Sequence, residues 1–278
     1  MTRSASAEVP ASETKAELLV LERPEPGIAV LTLNRPETRN SLSLAMIEAL
    51  HRATEQLSED AAVHAVVLAA RGPVFCSGHD LKELSRHRTD ADGGQAFFTL
   101  AMQSCARAMR AIMASPKPFI AAVQGTATAA GCQLVATVDL AVAADSASFA
   151  TPGVNIGLFC STPMVALSRN LGRKRALEML LLGDMLDARR AAEYGLVNRV
   201  APREEVLSEA LALARAVAAK SPAVVAIGKR AFYAQAELPV AEAYDYTARV
   251  MVENMMKRDA EEGIGAFLEK RAPKWTGS

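Results

Sequence analysis

Aromatic residues, cysteines and net charge are all scarce in this chain of 278 residues. Only 5% of the residues are aromatic, and 31 Lys and Arg are balanced by 31 Asp and Glu. A neutral chain has no general electrostatic attraction to nucleic acid or to an anionic membrane. We therefore expect neither partner, and any anionic ligand must be held by a local group of basic residues.

The four cysteines stand far apart, with no C-x-x-C spacing and no secretory leader before them. This usage is typical of a reducing compartment, so the sequence predicts a cytoplasmic protein. No uninterrupted apolar run approaches the roughly 20 residues that a membrane span needs. The polar opening, residues 1–14, predicts a disordered tail rather than a signal peptide.

The common motifs of nucleotide, zinc and serine chemistry are absent. The chain has no G-x-x-x-x-G-K-[ST], no G-x-G-x-x-G between a strand and a helix, no H-E-x-x-H and no G-x-S-x-G. Its four histidines do not cluster with the cysteines. We expect no metal site.

Strand-like and helix-like segments alternate along the first half of the chain. Residues 18–22 and 27–33 predict an antiparallel hairpin, and residues 65–70 and 119–123 predict buried strands. Ser43 is placed to cap a helix, and from Ser161 onward the pattern is almost entirely helical. This order favours an α/β fold with crossover connections.

Two segments share an unusual composition: residues 75–84 (FCSGHDLKEL) and residues 123–134 (VQGTATAAGCQL). Each places small residues where a buried strand ends and a helix begins, so a ligand can approach main-chain N–H groups that have no partner inside the helix. Two such turns side by side could both donate to one oxyanion. The alternative is that the glycines only serve tight turns.

These segments resemble the crotonase (enoyl-CoA hydratase/isomerase) superfamily, and the match runs in order from about residue 18 to the end. Within that superfamily the sequence is most similar to the enoyl-CoA hydratase domain-containing 3 group. The matching segments include LNRP (33–36), NSL (40–42), GHDLKEL (78–84), PKP (116–118), AGC (130–132), TP (151–152) and AFLEKR (266–271).

The resemblance implies an α/β fold built as a spiral of ββα units. It implies a spiral core over residues 15–210 that binds an acyl-CoA thioester, and a helical region over residues 211–278 that assembles homotrimers or dimers of trimers. No cofactor is implied beyond the CoA moiety of the substrate.

The resemblance also implies site residues. The main-chain N–H groups of His79 and Ala130 would form an oxyanion hole for the thioester carbonyl. Basic and aromatic side chains would hold CoA, although a solvated surface position is an equal alternative for each alone: Arg35, Arg39 and Lys82 in one chain, and Arg271, Lys274 and Trp275 from a neighbouring subunit.

The sequence departs from the family's hydratases at both catalytic glutamates, which are replaced by Gln133 and Gly153. A glutamine can orient water but cannot take up its proton, and glycine has no side chain. Hydration by the standard route is therefore expected to be weak. Among the nearby acids, we expect Asp80 to anchor its loop, Glu83 to face solvent and Asp139 to be structural.

Two other functions fit the same departure. Loss of CO₂ from a malonyl-type CoA generates the enolate without a carboxylate base. Residues 78–81, 151–157 and 262–277 resemble the methylmalonyl-CoA decarboxylase branch of the superfamily. The His79 ring could then bind the substrate carboxylate, or it could simply fill its loop. The third possibility is a catalytically silent acyl-CoA-binding subunit.

Overall fold

The computed structural model describes residues 17–278 and shows two sheets joined by helices. The predicted tail, residues 1–14, lies outside the described residues. The larger sheet has the strand order β1-β2-β3-β5-β7-β10, with only β1 and β2 antiparallel. Its strands are β1 Leu19–Glu25, β2 Gly27–Leu33, β3 Val63–Ala70, β5 Phe119–Val123, β7 Leu140–Ala144 and β10 Arg199–Ala201.

The smaller sheet has the order β4-β6-β8-β9, and its first three strands are parallel. Its strands are β4 Val74–Cys76, β6 Thr126–Thr128, β8 Ser148–Ala150 and β9 Leu186–Asp187. The described helices are α1 Leu44–Glu59, α2 Leu81–His87, α3 Gln95–Ala114, α4 Ala130–Thr137, α5 Ser161–Asn170, α6 Arg173–Leu182, α7 Ala188–Tyr194, α8 Val206–Ala218, α9 Pro222–Gln235, α10 Val240–Met255 and α11 Arg258–Leu268.

Three consecutive turns of the chain each contribute one strand to each sheet and then helical structure. β3 leads to β4 and then α2 and α3, β5 leads to β6 and α4, and β7 leads to β8 and, after a short 3-10 helix, α5. This is the predicted spiral of ββα units. The central strands are buried on both faces, as parallel strands covered by helices must be, which explains why β5 reads FIAAV with no polar alternation.

Local signals place several boundaries as expected. The Ser43 hydroxyl accepts a hydrogen bond from the Met46 amide and begins α1, and α3 ends at Ala114, before the two prolines. The predicted domain boundary between residues 210 and 211 falls inside α8, which packs on β3, β5 and β7. The helices beyond the sheet therefore begin with α9.

A buried charged network joins α9 to the spiral. The Lys229 ammonium donates to Asp139 Oδ2 at 2.7 Å and to two main-chain carbonyls at 2.9 Å. Asp139 also accepts from the Phe119 amide at 2.7 Å and from the Tyr233 hydroxyl at 2.9 Å. Burial lowers the pKa of Lys229, an effect that Asp139 opposes. These contacts give Asp139 the structural role expected from the sequence.

No single helix among residues 17–278 is long and apolar enough to cross a membrane. Residues 203–218 and 222–235 pass together on length and composition, but they meet at 105°.

Replacing Lys229 with Met should lower the free energy of unfolding by about 3–5 kcal/mol, because it leaves a carboxylate unpaired where both side chains are largely buried. Urea denaturation of purified protein measures the change. The matched control is Arg169→Met, which breaks an exposed pair with Glu237 and should cost at most about 1 kcal/mol. Equal losses in the two variants would contradict the structural role of the network.

Candidate active site

The two small-residue turns predicted from the sequence lie against each other. The Thr128 hydroxyl donates to the Ser77 carbonyl at 3.1 Å. A Cβ added to Gly78 would stand 2.9 Å from the Ala129 Cβ and 3.2 Å from the Ala130 nitrogen. Gly78 has φ +89°, a conformation that costs glycine nothing. The turn after β4 and the turn after β6 therefore form one surface.

Each turn carries a main-chain N–H that is not used elsewhere. Within residues 17–278, neither His79 nor Ala130 donates its amide hydrogen to a protein acceptor. Ala130 is the first residue of α4, where an N–H has no intrahelical acceptor and carries the positive end of the helix dipole. The structure thus places the two predicted oxyanion donors on adjoining turns.

Backbone strain is concentrated between the two donors. Ala129 has φ 50° and ψ −118°, outside the regions that alanine prefers. It is held by a hydrogen bond from its own amide to the Ala150 carbonyl at 2.9 Å and by one from the Gln133 amide to its carbonyl at 3.0 Å. Strained residues of this kind cluster at functional sites, where the surrounding contacts over-determine them.

The first turn is pinned by the segment that precedes α1. The Leu42 amide donates to the Gly78 carbonyl at 2.8 Å, and the Asp80 amide donates to the Leu42 carbonyl at 3.2 Å. These two bonds flank His79 and leave its amide free. Leu42, in the NSL segment at residues 40–42, therefore holds the turn that contains His79.

Gly131 is required by a close approach of two backbones. A Cβ at this position would lie 2.1 Å from the Cys76 carbonyl oxygen and 2.8 Å from its carbon. Only glycine lets the start of α4 pack on the end of β4, and this contact brings the two turns together.

Gln133 lies in the first turn of α4 and is buried, with 4% exposure. Its Oε1 has no hydrogen-bond partner among residues 17–278. A buried, unsatisfied amide oxygen is costly unless a ligand or water pairs with it. The position is suited to hold a ligand donor, but a neutral amide cannot act as a general base.

Position 153, predicted from the resemblance to correspond to the second glutamate, is closed. A Cβ on Gly153 would lie 2.5 Å from the Leu158 carbonyl oxygen and 2.9 Å from the Cys160 Sγ. The Leu158 amide donates to the Gly153 carbonyl at 2.9 Å and holds this segment in place. Burial raises the pKa of the Cys160 thiol, so it does not replace the missing carboxylate. Sequence reasoning missed this closure, because it identified the absent side chain but not what fills its space.

The two acids that follow His79 are both occupied. Asp80 caps α2 by accepting from the Lys82 and Glu83 amides at 3.0 and 3.1 Å, as expected. The expectation that Glu83 faces solvent is wrong: its Oε2 accepts from the Leu44 amide at 2.8 Å, at the start of α1. Neither carboxylate is free to handle protons.

The His79 ring is largely buried, and its Nε2 has no partner within the described chain. Burial lowers the pKa of this histidine, so the ring is neutral near pH 7. It offers a ligand one unused nitrogen.

The basic residues predicted for CoA divide into two groups. Arg39 lies beside the oxyanion turn, since its carbonyl accepts from the Ser77 amide at 3.1 Å. Lys82 is exposed in the first turn of α2, and Arg35 is paired with Glu37.

The other group lies with the C-terminal helices of its own chain. Arg271 pairs with Glu262 and Glu269, and Glu262 also accepts from the Lys274 amide. The Trp275 indole donates to the Ala219 carbonyl at 2.9 Å, at the junction of α8 and α9.

No group of three or more His, Cys, Asp or Glu side chains that could hold a metal ion occurs among residues 17–278.

The chain is similar in sequence to enoyl-CoA hydratase/isomerase proteins over most of its length. A family model described as enoyl-CoA hydratase/isomerase matches residues 23–278. The rat enoyl-CoA hydratase domain-containing protein 3, mitochondrial, is 44% identical over 267 residues, which cover 96% of this chain and 87% of the rat protein. The human protein of the same name is 46% identical over 250 residues, which cover 90% of this chain and 81% of the human protein.

Two solved structures are similar to this chain in both fold and sequence. The crystal structure of an enoyl-CoA hydratase from Mycobacterium smegmatis has a TM-score of 0.88 and 49% identity, covering 93% of this chain and 99% of that one. The human enoyl-CoA hydratase domain-containing protein 3 has a TM-score of 0.87 and 44% identity, covering 93% and 100%.

Replacing Gly131 with Ala should lower the free energy of unfolding by about 1–3 kcal/mol, because the added carbon overlaps the Cys76 carbonyl. The control is Gly228→Ala in α9, where nothing lies within 4 Å and the change should be stabilising by about 0.5–1 kcal/mol. Thermal or urea unfolding of both variants measures the difference. A Gly131→Ala variant as stable as the Gly228→Ala variant would show that the two backbones do not approach this closely.

Proposed function

The chain belongs to the enoyl-CoA hydratase/isomerase family, and from that premise we propose that it binds an acyl-CoA thioester whose carbonyl oxygen accepts hydrogen bonds from the His79 and Ala130 amides. The observation that carries this proposal is the pair of unused main-chain N–H groups on two turns in contact. Family membership supplies the ligand class. The local geometry supports the choice of these two amides as the donors.

Two aimed N–H groups favour any step that moves negative charge onto the thioester oxygen. The enolate of an acyl-CoA carries that charge, so the donors stabilise it more than the neutral thioester. Loss of one such donor typically costs roughly 2.7–4 kcal/mol of barrier. Main-chain donors on a glycine-dependent backbone contact are fixed before substrate binds, which avoids a cost of reorganisation.

Proton handling by the standard hydratase route is not supported. Gln133 is neutral, the place of a side chain at position 153 is filled by the Leu158 carbonyl and the Cys160 sulfur, and Asp80 and Glu83 already accept main-chain hydrogen bonds. We therefore propose that any hydration of an enoyl-CoA is weak and uses water oriented by Gln133.

Decarboxylation of a malonyl-type CoA is the second candidate, and the unpartnered His79 Nε2 favours it. In this reaction the bond from Cα to the carboxylate breaks, its electron pair enters the enolate held by the two amides, CO₂ leaves, and Cα then takes a proton from water. The Leu42 carbonyl accepts a hydrogen bond from the His79 ring, so Nε2 of the neutral ring is an acceptor, and the ring would donate to the substrate carboxylate only in its protonated form. No carboxylate base is needed.

We further propose that Arg35, Arg39 and Lys82 bind the CoA moiety. Arg271, Lys274 and Trp275 would contribute only through a neighbouring subunit. The exposed apolar side chains of α10 and α11, which include Met251, Met255, Phe267 and Leu268, support assembly into a homotrimer or a dimer of trimers. No cofactor beyond CoA is proposed.

Cytoplasmic location stays a prediction. The rat and human relatives carry "mitochondrial" in their names.

A substrate panel separates the candidates. Crotonyl-CoA hydration far below that of carboxylate-bearing family members, with CO₂ release from methylmalonyl-CoA, would favour the decarboxylase. Calorimetric binding of both thioesters without turnover of either would identify a silent acyl-CoA-binding subunit. Hydration at the rate of those relatives would contradict our interpretation of Gln133 and Gly153.

Replacing Ala130 with Pro should reduce kcat/KM for the best thioester by about 10²–10³-fold, because it removes one oxyanion donor. Proline is favoured at the first position of a helix, where the lost N–H has no intrahelical acceptor. It also restricts the residue before it, and Ala129 with φ 50° and ψ −118° lies outside the range that proline favours, so the loss combines the missing N–H with a shift of this turn. Arg173→Pro, at the first position of α6 after the extended Gly172, controls for proline at a helix start and should keep wild-type kinetics. Circular dichroism checks that both variants keep their helices. Wild-type turnover by the Ala130→Pro variant would exclude this amide as a donor.

Replacing Gln133 with Glu should raise kcat/KM for crotonyl-CoA by at least about tenfold, since a proton-transferring side chain typically supplies about 10²–10⁴-fold. Adding Gly153→Glu should give no further gain and should lower the unfolding midpoint, because the Leu158 carbonyl occupies the space of the new Cβ. Steady-state assays and thermal unfolding of the single and double variants test both statements. If the double variant is faster than the single one, residues 158–160 move aside easily to make room for the new side chain at position 153.

A further inference from the structure

A cavity of about 560 Å³ lies at the amino ends of β3 and β5, and we call it the edge cavity. Its lining includes His64 at the start of β3, Lys117 just before β5, Lys220 in the turn between α8 and α9, and Trp275 from the C-terminal segment. The oxyanion turns follow β4 and β6, which begin beyond the carboxyl ends of β3 and β5. The edge cavity and the candidate active site therefore lie at opposite ends of the larger sheet.

The lining of the edge cavity is basic. It contains two lysines and a histidine but no acidic side chain. Neither Lys117 nor Lys220 forms an ion pair among residues 17–278. Burial lowers the pKa of Lys117, which shows that its ammonium is partly removed from water. Partly desolvated cations without partners attract an anion more strongly than solvated surface charges do.

The acids near the edge cavity are already engaged. Asp60 acts on Lys117 from outside the lining and is itself paired with Arg23 at 2.6 Å. Asp259 directs its carboxylate to the Ser221 hydroxyl and to the Thr276 and Gly277 amides.

A Ser278 oxygen accepts from the Asp259 amide at 3.1 Å. These contacts satisfy the Asp259 carboxylate with neutral donors, so it keeps its charge behind the wall, and the two lysines are the cations of the lining that have no ion pair among residues 17–278.

An aromatic side chain completes the wall and is held rigidly. The Trp275 indole N–H donates to the Ala219 carbonyl at 2.9 Å, and the ring edge packs on α11 where a Cβ on Gly263 would lie 3.1 Å away. The next two residues are tied to Asp259. The wall is therefore preformed, as small-molecule sites usually are.

We propose that the edge cavity binds a nucleotide, with its phosphates on Lys117 and Lys220 and its base against Trp275. Its volume lies within the roughly 300–1,000 Å³ typical of small-molecule sites. Lysine is a common point-charge partner of phosphate, and base stacking on an aromatic side chain is a general mode of nucleotide recognition. This site is separate from the His79 and Ala130 amides of its own chain, and it assigns the Trp275 ring to a nucleotide bound in that chain rather than to a neighbour's CoA.

Trp275 is the only tryptophan of the chain, so selectively excited tryptophan fluorescence reports on the edge cavity alone. Titration of the full chain with ADP should give a saturable change in this fluorescence. The double variant Lys117→Met/Lys220→Met should raise the Kd for ADP by about tenfold or more.

The single variant Lys220→Met should also weaken ADP binding. Because Lys220 is exposed, this change should not disturb folding, so it checks that the effect of the double variant is not a folding defect. The matched control, Lys174→Met in α6, should bind as the wild type does.

Inorganic pyrophosphate separates phosphate binding from nucleotide binding. ADP should bind at least about tenfold more tightly, because pyrophosphate cannot stack on Trp275. Equal affinities would overturn the nucleotide assignment. Absence of any saturable change at millimolar ADP, or a Kd unchanged by the double lysine substitution, would overturn the site.

Two further variants distinguish this proposal from the thioester site. The Ala130→Pro variant should lose turnover but keep the fluorescence response to ADP. If the wild-type protein turns over its thioester normally but shows no response to ADP, only the edge-cavity proposal is wrong. An ADP response abolished by Arg35→Met/Arg39→Met would place Trp275 at a neighbour's CoA site instead and would overturn the proposal.

Discussion

The approach of Gly131 to the Cys76 carbonyl is the contact on which the candidate site depends. It brings the start of α4 onto the end of β4 closely enough that any side chain at position 131 would overlap the carbonyl. The same approach puts Gly78 and Ala130 side by side and leaves the first amide of α4 next to the amide of His79. Strain at Ala129 is held by bonds to the neighbouring strand and helix turn, so the two donors are set before any ligand arrives.

The acids that follow His79 accept main-chain hydrogen bonds: Asp80 begins α2, and Glu83 reaches the start of α1. Asp139 lies at the other end of the sheet, just before β7, and is held by Lys229 and Tyr233. Gln133 is neutral and position 153 is closed. The proposed oxyanion donors would therefore stabilise negative charge at a site with little means of moving protons, and this is why we propose a substrate that makes its own enolate, or a ligand that is held without being turned over.

Much of this could be predicted from the sequence because it rests on local signals. The opening hairpin, the Ser43 cap and the end of α3 before its prolines are all encoded in short segments. The closure at Gly153 could not be predicted, because it depends on the Leu158 carbonyl and Cys160 folding back across the gap. The role of Glu83 and the anchoring of Trp275 on Ala219 also join residues whose proximity only the tertiary fold creates.

The most direct test of the account is a crystal structure of the chain with a bound, unreactive acyl-CoA. The account predicts that the thioester oxygen lies within about 2.7–3.1 Å of both the His79 and the Ala130 nitrogen atoms. A thioester oxygen in contact with only one of these nitrogens, or a carboxylate from another part of the assembly placed next to Cα or Cβ of the acyl group, would contradict it.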